Sequence, residues 1–125
     1  MINMIKTVTN LIEKAQEREN GFARVNGRMG YYYGGRGPLR EKYAVQVDGG
    51  RVSLYHWGTH TLTVDVDAGR LLYFYGVSNS DRDSCNTVLR YFGLDGGFRY
   101  FPSKDEYIFE IDGEQFETIP DFIEL

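Results

Sequence analysis

Cysteine is nearly absent. Cys85 is the only one in 125 residues, so no internal disulfide can form. That argues against a small secreted scaffold held by cross-links and for a reducing compartment. Histidine is equally scarce, with His56 and His60 alone, which leaves few candidates for a nitrogen-rich metal site. No run of about 18 apolar residues occurs, so no helical membrane span is expected. The opening MINMIKTVTNLIEK is broken by polar residues at helical spacing, unlike the apolar centre of a signal peptide. The expected compartment is cytoplasmic. There is no GxxxxGK[ST] loop and no strand–glycine–helix dinucleotide fingerprint.

What remains is an ordinary globular balance, 42% hydrophobic and 26% charged, in a length that suits one domain over residues 1–125. Such a chain can bury a core without metal or disulfide staples. Two features stand out. There are ten tyrosines, three of them consecutive at Tyr31, Tyr32 and Tyr33. Tyrosine suits half-buried strands and binding surfaces, since one end of its ring is apolar and the other wet. Charge is also split. Residues 1–60 carry nine basic and five acidic side chains, a local +4, whereas 61–125 carry five and thirteen, a local −8. The stretch 101–125 sets Lys104 against eight acids. An acidic end repels nucleic acid and favours a basic protein surface.

Periodicity predicts the elements. Ile5, Val8, Ile12 and Ala15 recur on one helical face, and Asn20-Gly21 supplies a stop. Phe22–Val25 predicts a short strand, with Asn26-Gly27 as a hairpin turn and Met29–Tyr33 as the return. Gly34 to Pro38 predicts a loop. A meander follows. Tyr43, Val45 and Val47 alternate with polar residues, Asp48-Gly49-Gly50 turns, and Val52, Leu54 and His56 share the next face. Gly58-Thr59 turns again into Leu62, Val64 and Val66, which alternate with Thr61, Thr63 and Asp65. Arg70–Tyr75 is apolar on both faces, which predicts an interior strand.

Ser80 followed by Asp83 has capping-box spacing and opens a second helix with Cys85, Val88, Leu89 and Phe92 as its stripe, stopped by Gly93. Phe98–Phe101, Tyr107–Ile111 and Gln115–Ile119 predict closing strands, with Asp112-Gly113 as a hairpin turn and Pro120 as the stop. The fold class is therefore α+β, an antiparallel sheet (meander plus C-terminal hairpin) packed by two helices.

Several constellations invite chemistry. His56 and His60 lie four apart, but they flank a predicted turn without a third ligand, so no metal or other cofactor is expected. Cys85 lies on an apolar stripe, the place of a buried small hydrophobe rather than a nucleophile. Asp65 and Asp67 share a polar face and would need to converge with a histidine to form an acid–base site. The stretch GRMGYYYGGRGPLR brings Arg28, Arg36 and Arg40 among glycines and tyrosines, so residues 28–40 could contact phosphates and bases. The acids Asp105, Glu106, Glu110, Asp112, Glu114 and Glu117 fall on the closing strands and could present charge as a nucleic-acid backbone does.

Three segments form a set: LYHWGTHTLTVDV, YGVSNSDRDSCNTVLRYFGL and FRYFPSKDEYIFEIDGEQ. Together they resemble a loose group of small proteins from phages and mobile elements of Gram-positive bacteria, over roughly residues 52–115. The resemblance implies a small accessory protein, in a setting that includes anti-CRISPR and other anti-defence inhibitors. Such proteins act by occupying a nucleic-acid or partner site without catalysis. The expected function is thus a non-enzymatic inhibitor that binds a host protein with a basic surface, an RNA-guided CRISPR nuclease being the named candidate. The six acids would supply charge complementarity, and Tyr31, Tyr32, Tyr33, Arg36 and Arg40 the anchors. Two alternatives stand beside it: a nucleic-acid or nucleotide binder acting through residues 28–40, and a small enzyme using His56, His60, Asp65 or Asp67.

Overall fold

A computed structural model describes residues 4–28, 37–76, 78–103 and 105–125. The predicted return strand at Met29–Tyr33 and the loop residues 34–36 lie outside the described residues, as do the proposed anchors Tyr31, Tyr32, Tyr33 and Arg36.

Helix α1 spans Met4–Glu17 and buries Val8, Leu11, Ile12 and Ala15. These positions follow the 3.6-residue period through i, i+3, i+4 and i+7. Ile5, expected on that stripe, is 51% exposed, and Leu11 takes its place in the core. The helix gives way at Gly21, which has φ +65° and donates its N–H to the Arg18 carbonyl. Glycine is required here twice over. A side chain would be strained at that φ, and its Cβ would stand 2.0 Å from the Val47 carbonyl oxygen.

Strand β1 is Phe22–Arg28, and β2 is Leu39–Asp48. They pair antiparallel from Phe22↔Gln46 to Arg28↔Leu39, with an irregularity between Val25 and Asn26. Asn26-Gly27 therefore lies inside a strand and not in the expected hairpin turn. The reason is competition: the ten-residue β2 offers β1 a full-length partner, which outweighs a local turn preference.

The meander then follows expectation. Strand β3 is Arg51–His56, β4 is Thr59–Asp65 and β5 is Arg70–Phe74. The β3–β4 turn is Trp57-Gly58, one residue earlier than expected, with φ +50° and +81°. A register shift between Leu54 and Tyr55 makes Thr61 an extra residue in β4. It turns inward, is 1% exposed, and donates its hydroxyl to the Leu54 carbonyl.

Helix α2 runs Asn79–Tyr91. Its N-cap is Ser78, whose hydroxyl accepts from the Asp81 N–H, rather than the expected Ser80. Ser78-x-x-Asp81 and Ser80-x-x-Asp83 have the same spacing, so the local pattern fits both starts. At the other end Leu94 N–H bonds to the Leu89 carbonyl and Gly93 N–H to the Arg90 carbonyl, the paired closure that a left-handed glycine permits.

A second, three-stranded sheet contains β6 (Gly97–Phe101), β7 (Glu106–Ile111) and β8 (Glu114–Phe116). Asp112-Gly113 makes the expected two-residue turn with φ +50° and +82°. The last expected strand ends at Phe116 instead of Ile119. The chain then returns as β9, Ile123–Glu124, to the main sheet, whose order is β1-β2-β3-β4-β5-β9. The fold is thus α+β with antiparallel sheets. The core gathers α1, α2 and the inner faces of both sheets around Ile12, Leu54, Leu62, Leu89 and Phe109.

Helix α2 joins the two sheets. The Asn86 side chain donates to the Phe98 carbonyl at 3.0 Å and accepts from the Phe98 N–H at 2.7 Å, completing the edge of β6 as a strand would. Phe98 in turn packs on Phe74 and Phe109, with ring centroids 5.1 and 4.9 Å away. An Asn86→Ala change strands both Phe98 groups. The expected loss is about 2 kcal/mol, read as a lower urea midpoint with unchanged slope. An unchanged midpoint contradicts the bridging role.

Candidate functional site

A buried polar contact joins β3 to α2. His56 closes β3 on its inner face, and Asp81 follows the Ser78 cap. His56 Nδ1 and Asp81 Oδ1 are 2.7 Å apart, and the residues are 9% and 7% exposed. A carboxylate only accepts, so Nδ1 carries the proton and donates it. The imidazole lies flat on Tyr43, centroids 4.5 Å apart and planes within 7°, with Trp57 tilted beside it. Burial, followed by the negative field of Asp81 and Asp83, pushes the Tyr43 hydroxyl up to about 12. His56 Nε2 has no hydrogen-bond partner among the described residues.

A carboxylate-oriented imidazole can serve as a general base when its second nitrogen faces a substrate. Here the neighbouring cavity, lined by Thr61, Phe74, Asp81, Cys85 and Phe98, measures only about 10 Å³, room for one water. Its nearest thiol is Cys85, 3% exposed, with Sγ set toward the Thr61 carbonyl. Burial pushes that thiol up to about 12, so it stays protonated at neutral pH.

The other candidate groups are dispersed. His60 sits on the outer face of the main sheet, stacked between Tyr55 and Tyr73 at 5.1 and 4.2 Å. Its Nε2 contacts the Leu62 carbonyl and the Thr63 hydroxyl. Asp65 accepts from the Ala68 N–H and closes the turn beyond β4. Asp67 lies against Gly50 at the same end. The structure does not bring the two histidines and two aspartates into one cleft. No group of three or more metal-ligating side chains occurs among the described residues. No described helix is long and apolar enough to cross a membrane.

Arg28 donates to the Gly37 carbonyl at 3.2 Å. Arg28 pairs with Leu39 and Gly27 with Arg40, so the alternation of strands places Arg28 and Arg40 on opposite faces of the β1–β2 ribbon. The described part of the arginine–tyrosine stretch therefore does not gather these two charges on one surface.

The six acids of the closing strands do share one body. Asp105, Asp112, Glu114 and Glu117 are exposed, while Glu106 and Glu110 are half-buried. Arg99 reaches Glu110 at 3.2 Å. The Tyr100 hydroxyl donates to Asp105, a bond that raises the Tyr100 pKa. Asp105 and Glu106 edge a surface depression of about 510 Å³ with Tyr100, Tyr107, Gly76 and Asn79. A groove of about 410 Å³ adjoins it through Gly76 and Tyr107, running between Leu72–Gly76 and Glu117–Asp121. The Tyr107 hydroxyl, which donates to Asn79 Oδ1 at 2.8 Å, stands where the two meet.

Sequence reasoning missed the partnership of Asp81 with His56, because it joins residues 25 apart through tertiary packing. It also missed Asp121 as a companion of the six acids along the groove.

No family model matches the chain, and neither a curated protein nor a solved structure matches it.

Burial lowers the pKa of His60, against a smaller raising effect from the Leu62 carbonyl. The unfolded imidazole titrates near ~6.5. As pH falls through that value the unfolded chain takes up the proton before the folded one does, so stability present at higher pH is lost. The urea midpoint should fall between pH 7.5 and pH 5, and by less in His60→Gln. An equal fall in both proteins contradicts this account.

Proposed function

We propose that the chain is a non-catalytic interaction protein that offers its acidic second sheet to a basic surface of another protein. One observation carries this reading: five of the six carboxylates lie on the β6–β7–β8 sheet and its turns and Glu117 directly follows β8, four of the six being exposed. Their summed field repels phosphate and attracts a cationic partner, raising the rate of encounter and fixing orientation. The titratable groups best arranged for chemistry, His56, Asp81 and Cys85, are buried, which suits a structural task.

The resemblance to small phage and mobile-element proteins suggests the partner class. An RNA-guided nuclease holds its nucleic acid in a positively charged channel, and an acidic sheet can compete for such a channel. The protein would then act as an anti-CRISPR inhibitor in the cytoplasm of a bacterial host.

Reversal of Glu110, Glu114 and Glu117 to lysine tests the reading. Binding to a purified RNA-guided nuclease, freed of nucleic acid, should weaken by roughly tenfold or more, chiefly through a slower association rate. Wild-type association should also slow as salt is raised. Undiminished binding by a folded triple variant contradicts the proposal, as does capture of the partner only when nucleic acid is present.

A further inference from the structure

Strand β5 is paired on one side along its length but on the other only at its start. It faces β9 at Arg70↔Glu124 and Leu71↔Ile123, and no further pairs follow among the described residues. Arg70 holds β9 there, with Nε 2.9 Å from Glu124 and its guanidinium 4.1 Å from the centre of the Phe122 ring. Beyond this point the incoming chain arcs away through Pro120, which has no N–H to donate.

The space it leaves is the groove between Leu72–Gly76 and Glu117–Asp121. On the β4 side Tyr75 donates its N–H to the Thr61 carbonyl. The β4–β5 register shifts at Leu72, which interrupts the alternation; beyond it, strand alternation turns the N–H and C=O of Phe74 the other way, toward the groove.

We propose that this edge of β5 is a docking site for an extended, basic segment of a partner protein, paired main chain to main chain at Phe74. The occupant follows from three features. An open strand edge selects an extended backbone rather than a helix. Glu117 and Asp121 lie along one wall of the groove, and Asp105 and Glu106 line the depression that adjoins it, which selects lysine or arginine and disfavours phosphate. Tyr73 and Tyr75, 40% and 49% exposed, offer rings to the stems and cationic heads of those side chains. The site deepens the reading of the chain as a binder of basic protein surfaces and rests on it.

The probe is a fluorescein-labelled nonapeptide of alternating lysine and threonine, with a twin N-methylated on its five central amides. Methylation removes main-chain donors and keeps the charge. The unmethylated peptide should bind the full chain and shift the amide resonance of Phe74, and the twin should bind on the order of tenfold more weakly. Glu106→Lys with Asp121→Lys should weaken the unmethylated peptide while leaving the fold intact by circular dichroism. Equal binding of both peptides overturns strand pairing, as does binding without a shift at Phe74. Absence of binding overturns the site. If the peptide fails while the Glu110, Glu114 and Glu117 reversal still abolishes nuclease binding, the acidic-sheet reading stands and the edge site alone falls.

Discussion

The buried contact between His56 and Asp81 fixes how α2 sits between the two sheets. Apolar packing alone would leave the helix some freedom to rotate or slide, since Cys85, Val88 and Leu89 meet a smooth aliphatic surface. A carboxylate removed from water restricts that freedom, because a hydrogen bond from His56 to a buried charge is costly to give up. The pair thus sets the rotation of α2 against β3. From that position the helix presents Asn86 to β6 and Ser78 to its own first turn. The groove inherits the same constraint, because Gly76 and Asn79 come from the start of α2 and Tyr107 from the second sheet.

Polar chemistry is divided between inside and outside. His56, Asp81, Thr61 and Ser84 are buried and tie elements together. The exposed carboxylates Asp105, Asp112 and Glu114 make the second sheet predominantly acidic, with Arg99 paired to Glu110 among them. A protein organised this way can recognise a cationic surface without a moving part, since the second sheet is anchored through Phe98 and Phe109. The tail from Glu117 to Asp121 contributes both a wall of the groove and part of its charge.

Much of this order was legible in the residues themselves. The Asp112-Gly113 turn and the Leu62/Val64 alternation depend on neighbours a few positions away, and both were found. Asn26-Gly27 carried the same local signal and misled, because a strand beginning twelve residues later supplied the partner. Arg70–Tyr75 looked like an interior strand from its apolar content, yet its second half borders a groove, since only two residues of β9 return to cover it. The acids were visible as a charge excess. Their arrangement along a groove was not, because that depends on the path of 117–122 in space. Nor did any local pattern single out Asp81 from Asp83.

His56 and Asp81 act as a coupled pair in holding α2 in place. A double-mutant cycle with His56→Ala and Asp81→Ala measures this directly by urea denaturation. The predicted coupling is about 1–3 kcal/mol, with either single change costing nearly as much as both together. Additive losses, and hence a coupling near zero, would show that the two side chains act independently and do not together set the position of α2.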